Sequence, residues 1–201
     1  LQEGDTIFFI AAPEKAACIY AGQIRNELGS RLDLLEKDAY RFCYINDFPM
    51  YEIDEETGKL GFTHNPFSMP QGGLEALNEK DPLDILAYQY DIVCNGVELS
   101  SGAVRNHDME IMEKAFDIAG YDKETLKDKF GALYNAFQFG APPHAGMAPG
   151  VDRMIMLLRN EENIREIIAF PMSGTAQDLM CGAPNEITEQ QLREVHIKVR
   201  D

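Results

Sequence analysis

Glu98 and Arg105 carry opposite charges in a segment, CNGVELSSGAVRNHD, whose other residues are typical of a core strand. A further acid, Asp91, precedes this segment. Carboxylates are hard oxygen ligands for Mg²⁺, and a guanidinium group can hold a carboxylate or a phosphate with two parallel hydrogen bonds. The three side chains could therefore serve a metal ion, an anion or both, provided that the fold brings them together.

A β-hairpin would bring the two acids together. The Asn95-Gly96 dipeptide suits a two-residue turn because both turn positions need a positive φ, so we predict antiparallel strands over residues 83–94 and 97–104. Alternation from this turn places Asp91 and Glu98 on one face as diagonal neighbours, with Cα atoms roughly 7–8 Å apart. Both acids could then hold one Mg²⁺ ion. The alternative is a solvated face on which the acids only keep the hairpin soluble.

Arg105 lies on the opposite face in this register, in which Asp91 pairs with Ser100. A β-bulge would reverse the alternation beyond it, and a glycine within a strand often marks such a bulge. We therefore predict a bulge at Gly102, which would return Arg105 to the face of the acids.

A second candidate site lies in the segment GAPPHAGMAPGVDRMIMLLRN, where a Pro/Gly-rich loop meets an apolar helix. Arg153 falls in the first turn of that helix, where a cation opposes the helix dipole and Asp152 suits it. A phosphate bound to the free N–H groups at the helix start would explain the arginine. The alternative is that Arg153 pairs with Asp152 or extends along the surface.

The remaining patterns predict an α+β fold, an antiparallel sheet flanked by helices, preceded by a small α/β segment. Apolar alternation and turn signals predict strands over residues 6–12 and 41–53, the second turning back through Thr57-Gly58. Helical periodicity and capping residues predict helices over residues 13–28, 108–119 and 122–137. A loop over residues 62–73 should lie beside the candidate site. We place a domain boundary at Asp38, giving domains 1–38 and 39–201.

The composition limits the kinds of function. The chain has 201 residues, 45% of them hydrophobic, and a formal charge of −16, which argues against a general nucleic-acid surface. Its four cysteines are widely spaced and form no CxxC pair, so we predict buried free thiols in a reducing compartment, by default the cytoplasm. No apolar run approaches the roughly 18 residues of a membrane span.

Four segments in order resemble the C-terminal part of the bacterial aspartyl-tRNA synthetases, which are class II aminoacyl-tRNA synthetases. They are FTHNPFSMP, YDIVCNGVELSSGAVRNHD, APPHAGMAPGVDRMIMLL and ENIREIIAFPMSGTAQDLMCGAPNEITEQQLREVHIKV. The most specific pieces are NGVELSSGAVR and PPHAGMAPGVDR, the second of which resembles the third class II motif. The resemblance covers nearly the whole chain, and it implies that residues 1–38 close an insertion domain.

The resemblance also implies roles for individual residues. Glu98 would be the ATP-side Mg²⁺ ligand, with Asp91 as its partner acid. Arg105 would bind the side-chain carboxylate of the substrate aspartate, and His64 would sense aspartate from a mobile loop. The remaining implied residues, Gly150, Val151, Asp152 and Arg153, would bind ATP.

The implied reaction joins ATP and L-aspartate into aspartyl-adenylate and transfers the aspartyl group to the 3′ end of tRNA(Asp), with tRNA(Asn) as a further possibility. The family is a homodimer, and its anticodon-binding barrel and first two motifs have no counterpart here. We therefore expect the isolated chain to be weakly active or inactive. Two departures from many relatives, Ser100-Ser101 in place of glycines and Asn65 in place of a second histidine, concern aspartate recognition.

Three other interpretations remain open from the sequence. One is a related class II ligase of the asparaginyl, lysyl or amidating type, although Arg105 and His64 favour an acidic substrate. Another is a non-catalytic fragment that binds a partner. A metal hydrolase is the third, but its candidate ligands His64, His107 and His144 lack a ligand spacing such as HxxxH.

Overall fold

The computed structural model describes residues 2–200 and divides the chain into two compact units. The first unit ends at Arg41 and the second begins at Phe42. Among the described residues, no helix is both long enough and apolar enough to cross a membrane.

The first unit contains one helix, α1 (Glu14–Arg31), within its described residues. The predicted helix is correct, but it continues through Gly29 to Arg31, where a salt bridge from Arg31 to Glu27 spans one turn. The strand predicted over residues 6–12 is wrong, because these residues form no sheet. Phe8 and Phe9 are more than half exposed, so no partner buries the apolar run that suggested a strand.

The second unit is built on an antiparallel sheet, which confirms the predicted class of fold. The strands are β1 (Phe42–Pro49), β2 (Tyr51–Ile53), β3 (Leu60–Phe62), β4 (Leu86–Cys94), β5 (Val97–Val104) and β6 (Ala145–Pro149). Four of them form one antiparallel sheet in the order β1-β4-β5-β6, and β2 and β3 pair in a separate two-stranded sheet.

The strand predicted over residues 41–53 is two strands, because the chain changes sheets at Met50. Asp47 has a left-handed backbone (φ 58°), and Pro49 has no N–H to continue the ladder. Met50 and Tyr51 are both buried, which a single alternating strand does not allow. Strand β4 begins at Leu86, three residues after the predicted start at residue 83, because Pro82–Asp84 form a 3₁₀ turn.

The helices of the second unit are α2 (Gly73–Glu79), α3 (Met109–Ile118), α4 (Lys123–Phe137), α5 (Val151–Arg159) and α6 (Glu189–Glu194). The predicted cap of α3 is confirmed, since the Asp108 carboxylate accepts hydrogen bonds from the N–H groups of Glu110 and Ile111. Helix α2 was not predicted, because its seven residues are too few to show a helical periodicity of apolar side chains.

Two apolar clusters hold these elements together. One joins the strands to α2 and α3 and is centred on Met50, Tyr51, Leu77, Ile85, Ala87 and Ala115. The other lies between α3 and α4 and is centred on Met112, Phe116, Leu126 and Tyr134. Helix α4 kinks at Phe130, whose backbone is not helical, and Tyr134 rather than its neighbour Leu133 belongs to the buried cluster.

All four cysteines are free thiols, as predicted. Only Cys94 is buried, whereas Cys18, Cys43 and Cys181 are exposed, so the prediction of buried thiols is correct for one position alone. The three exposed cysteines have apolar neighbours in the sequence, but the side chains of those neighbours are themselves largely exposed.

Candidate functional site

The β4–β5 hairpin has a bulge beside its turn. Val93 pairs with Glu98, but the next residue of β4, Ile92, pairs with Ser100. Leu99 is therefore an extra residue on β5, and the alternation of side chains reverses beyond it. The bulge predicted at Gly102 is wrong in position. Its predicted consequence is found nevertheless, because a bulge at Leu99 also returns Arg105 to the face of the acids.

Beyond the bulge, Asp91 pairs with Ser101 instead of the predicted Ser100. Ser101 and Arg105 consequently lie on the same face of the sheet as Glu98 and Asp91. Asp91 remains two residues from the partner of Glu98, so the predicted diagonal relation of the two acids is retained.

Gly102 has another structural role, which is the close approach of β5 to β6. A Cβ atom at this position would lie 2.3 Å from the carbonyl oxygen of Gly146 and 2.5 Å from Cε2 of Tyr90. The Tyr90 hydroxyl donates to that same Gly146 oxygen at 2.9 Å. Only glycine fits here, because the obstacle includes backbone.

The pairing of β6 with β5 holds the segment before α5 against the sheet. It pairs with β5 from Ser100↔Pro149 to Val104↔Ala145, and the Gly150 N–H then donates to the Leu99 carbonyl at 2.7 Å. The composition of this segment predicts an irregular loop, because glycine and proline are rare in strands. The ladder is possible since Pro149 stands at the end of an edge strand.

Arg105 lines a cavity of about 440 Å³ on this face of the sheet, which we call the Arg105 cavity. Two histidines and two amides contribute to it. Its lining residues are His64, Asn65, Gln89, Ser101, Gly102, Arg105, His144, Ala145, Gly146, Met147 and Ala148. A guanidinium with imidazole and amide donors around it is suited to bind a carboxylate.

The loop that carries His64 is held against this site, as the sequence analysis expected. Ser68 forms an isolated bridge with Arg105, and the Asn106 N–H donates to the Phe67 carbonyl at 2.8 Å. The His64 ring itself packs edge-on against Phe48, with ring centroids 5.0 Å apart. Backbone pairing thus anchors the loop at Phe67 and Ser68, and His64 lines the cavity.

His144 is a cavity residue that the sequence analysis considered only as a metal ligand. Its carbonyl accepts a hydrogen bond from the Arg105 N–H at 2.9 Å. Its ring Nδ1 lies 2.8 Å from the Pro142 carbonyl oxygen, which can only accept, so Nδ1 carries a proton. Its position within the predicted site segment GAPPHAGMAPGVDRMIMLLRN was the available signal.

Glu98 lines a second, smaller cavity of about 290 Å³, which we call the Glu98 cavity. It adjoins the first, because both are lined by Ser101 and Ala148. Its lining residues are Glu98, Leu99, Ser100, Ser101, Ala148, Gly150, Asp152, Arg153 and Ile164.

Arg153 joins the start of α5 to the bulged strand. Its Nη1 donates to the Glu98 carbonyl at 2.7 Å and to the Glu98 carboxylate at 3.1 Å. Both side chains are close to half exposed, so water screens the ion pair. Arg153 thus pairs with Glu98 and not with Asp152, the alternative partner that the sequence left open. Val151, at the same helix start, is exposed and lines neither cavity.

Glu98 and Asp91 are the candidate ligands for a Mg²⁺ ion on this face of the sheet. Among the described residues, no group of three or more His, Cys, Asp or Glu side chains could hold a metal ion by itself. Mg²⁺ usually keeps several waters and takes one or two carboxylates together with substrate phosphates. Glu98 is accessible within its cavity, and Asp91 is on the same face but lines neither cavity.

The chain matches known proteins over nearly its whole length. The family model described as tRNA synthetases class II (D, K and N) matches residues 13–174. An aspartate–tRNA(Asp/Asn) ligase of Zymomonas mobilis is 60% identical over 199 residues, which are 99% of this chain and 33% of that protein. An aspartate–tRNA ligase of Streptomyces coelicolor is 61% identical over 200 residues, which are 100% of this chain and 34% of that protein.

Among solved structures, an aspartyl tRNA synthetase from Entamoeba histolytica is similar with a TM-score of 0.50 and 26% sequence identity. The similarity covers 87% of this chain and 29% of that one. The chain thus spans about a third of the length of the curated relatives that it matches. With a family model that matches most of its residues, the chain belongs to the class II tRNA synthetases of the D, K and N group.

Proposed function

We propose that this chain is the aspartate- and ATP-binding part of an aspartate–tRNA ligase. The observation that carries the proposal is the pair of adjoining cavities on one face of the sheet. One has a guanidinium with imidazoles, which suits an acidic amino acid, and the other has Glu98 and Arg153 at a helix start, which suits Mg²⁺-ATP. The ligases named above, at about 60% identity, support the same activity.

L-Aspartate occupies the Arg105 cavity in this proposal. The Arg105 guanidinium binds the side-chain carboxylate with two hydrogen bonds, and His64 adds a further donor from its loop. Lysine would leave the guanidinium facing a cation, and asparagine would lose the charge of the carboxylate. The cavity therefore selects aspartate over the other two amino acids that the family description includes.

ATP occupies the Glu98 cavity. Arg153 contacts the adenine and the phosphates, and the backbone of Gly150, Val151 and Asp152 lines the nucleotide at the helix start. Glu98 and Asp91 would hold the Mg²⁺ ion, which supplies charge neutralisation to the phosphates when it is bound. With the ion bound, the Glu98 carboxylate would be shared between the cation and Arg153.

The reaction needs no nucleophile from the protein. An oxygen of the aspartate α-carboxylate attacks the α-phosphorus of ATP, and pyrophosphate leaves with the electron pair of the broken P–O bond. A ribose hydroxyl at the 3′ end of the tRNA then takes the aspartyl group, and AMP leaves. The chain contributes positioning and charge, which are the main sources of rate for such a transfer.

The other partners follow from the same proposal. The tRNA is tRNA(Asp), with tRNA(Asn) as a second candidate, and it is held mainly by parts of a longer enzyme, since this chain carries a charge of −16. That enzyme is a cytoplasmic homodimer whose insertion domain ends within residues 1–38. The chain alone is inactive, because ATP and aspartate bring more negative charge than Arg105, His64 and Arg153 neutralise.

The test is aspartate-dependent ATP–pyrophosphate exchange by the full-length enzyme that contains this chain. We expect exchange with L-aspartate and at least about 100-fold less with L-asparagine or L-lysine at equal concentration, because either substrate would leave the half-buried Arg105 guanidinium without a carboxylate partner. Arg105→Leu should abolish the exchange, whereas Arg165→Leu, which changes an arginine that lines neither cavity, should not. Exchange with lysine or asparagine instead of aspartate would refute the proposal.

A further inference from the structure

Phe48, near the end of β1, is the aromatic residue that contacts the ring of His64. The two ring centroids lie 5.0 Å apart, and the ring planes are nearly perpendicular, at 88°. This edge-to-face arrangement is one of the preferred geometries of aromatic pairs. The orientation of the His64 ring at the Arg105 cavity is therefore linked to β1.

The main chain next to His64 is held by other residues. The Asn65 carbonyl oxygen accepts hydrogen bonds from the Gln89 side-chain amide at 3.3 Å and from the Ser68 N–H at 3.2 Å. Gln89 is itself buried, so this contact is shielded from water. These hydrogen bonds fix the main chain beside His64 but not the direction of its side chain.

The side chain of His64 has no hydrogen bond of its own. It is exposed, and its ring forms no hydrogen bond with any residue that the structure describes. Within the described part of the chain, Phe48 provides its only ring contact. A side chain that is free to rotate loses rotamer entropy when a ligand fixes it, and this loss weakens binding. The contact with Phe48 reduces that loss, because it restrains the ring before a ligand binds.

The contact between Phe48 and His64 is part of a wider contact between β1 and the loop that carries His64. The register of β1 is irregular at Asp47, which has a left-handed backbone (φ 58°). The Asp47 carboxylate accepts a hydrogen bond from the Gln71 side-chain amide at 2.6 Å. Since Asp47 and Phe48 are consecutive, the end of β1 contacts the loop at two places, His64 and Gln71.

We propose that Phe48 is a positioning residue for aspartate binding. Its ring holds the His64 imidazole in the orientation from which an imidazole N–H donates to the side-chain carboxylate of the substrate. The proposal rests on the function proposed above, which places aspartate in the Arg105 cavity. Phe48 lines neither cavity, so it acts through His64 and does not touch the substrate.

The reaction itself predicts which kinetic constant Phe48 affects. The side-chain carboxylate of aspartate takes no part in the reaction, because the bond to phosphorus forms at the α-carboxylate. The hydrogen bond from His64 is therefore as strong in the bound substrate as in the transition state. Loss of such a contact raises KM and leaves kcat unchanged. Loss of the Phe48 ring should accordingly raise the KM for aspartate and leave the KM for ATP as it is.

The test measures ATP–pyrophosphate exchange by the full-length enzyme with Phe48→Leu, with aspartate and ATP varied in turn. We expect the KM for aspartate to rise about 3- to 10-fold, with kcat and the KM for ATP within about twofold of the wild type. Phe48→Tyr keeps the aromatic ring and should keep the wild-type constants. Phe42→Leu is the matched control, because Phe42 is an exposed phenylalanine of the same strand that lines neither cavity. It should change none of these constants by more than about twofold.

A double-mutant cycle with His64 separates positioning from a general structural effect. His64→Ala should itself raise the KM for aspartate, because it removes the donor. Phe48→Leu added to His64→Ala should then raise that KM by less than about a further twofold. A purely structural role of Phe48 would give the same increase with and without His64.

The outcomes distinguish this proposal from the ligase proposal. In an active enzyme, the role of Phe48 would be overturned if Phe48→Leu left the KM for aspartate unchanged, raised the KM for ATP equally or lowered kcat instead. It would also be overturned if Phe48→Tyr were as impaired as Phe48→Leu, if His64→Ala had no effect, or if the effect of Phe48→Leu were undiminished without His64. Each of these results leaves the ligase intact. A correctly folded wild type without aspartate-dependent exchange would overturn the ligase itself, and the role of Phe48 with it.

Discussion

Glu98 of β5 and Arg105, the residue that follows β5, lie on the same face of the sheet, although strict alternation would put them on opposite faces. The cause is the bulge at Leu99, which inserts one residue between the pair Val93↔Glu98 and the pair Ile92↔Ser100. One extra residue thus brings Glu98 and Arg105 to the linings of two adjoining cavities.

The close approach of β5 to β6 predicts that Gly102 cannot be replaced. Gly102→Ala places a methyl group 2.3 Å from the Gly146 carbonyl oxygen, so the strands must separate. We expect the free energy of unfolding of the chain to fall by about 1–3 kcal/mol in urea denaturation. Gly146→Ala is the matched control, because its Cβ would meet no atom within 4 Å and should change stability by less than about 1 kcal/mol. Equal stability of the two variants would contradict this account of the β5–β6 contact.

Glu98 and Arg153 should each be needed for activity but not for folding. In the full-length enzyme, we expect Glu98→Gln and Arg153→Ala to lower aspartate-dependent ATP–pyrophosphate exchange at least about 100-fold, because each removes a charge that faces the phosphates. The ion pair is near half exposed, so its loss should cost less than about 1 kcal/mol of stability. The measurement is exchange beside thermal unfolding for each variant. Near-normal exchange in both would remove the assignment of ATP to the Glu98 cavity.

Glu113 predicts a pH dependence of stability at the α3–α4 contact. Its carboxylate accepts hydrogen bonds from Lys123 Nζ at 3.0 Å and from the Tyr134 hydroxyl at 2.5 Å. Burial raises the pKa of Glu113, but these hydrogen bonds and the positive charges of Lys123 and Lys127 together outweigh burial and hold the pKa below its ordinary value. The contribution of Glu113 is therefore fully present above its unfolded-state pKa and is lost as the pH falls through its lower folded-state pKa.

The corresponding experiment follows urea unfolding of Glu113→Gln between pH 7 and pH 3. We expect this variant to be less stable at pH 7 by about 1 kcal/mol and to lose less stability than the wild type on acidification. Asp128→Asn, an exposed acid of α4, should follow the wild-type curve. A parallel loss of stability in Glu113→Gln and the wild type would show that Glu113 is not linked to the acid transition.

The sequence predicted those features that depend on local chemistry. The Asn95-Gly96 turn fixed the hairpin, and Asp108 marked the start of α3, because a turn or a cap is specified by the residues that form it. The face shared by Asp91 and Glu98 was predictable for the same reason, since both lie within a few residues of the turn.

The features that escaped prediction depend on contacts with distant residues. The bulge lies at Leu99 rather than Gly102, because Gly102 is required by the approach of β6 and not by a local distortion of β5. Strand β6 has a composition typical of a loop and becomes a strand only through its ladder with β5. His144 and Ser101 likewise gain their place in the site from strand pairing. Each cavity is lined by residues from several segments of the chain, so no single segment predicts either cavity.

The central claim is that aspartate and ATP bind in the adjoining Arg105 and Glu98 cavities. The most direct test is a crystal structure of the full-length enzyme with a non-hydrolysable aspartyl-adenylate analogue. We expect the aspartyl carboxylate within about 3 Å of the Arg105 guanidinium, the adenosine against Arg153, and the phosphate mimic where the two cavities meet. An adenosine bound in the Arg105 cavity, or an aspartyl group away from Arg105, would contradict the account.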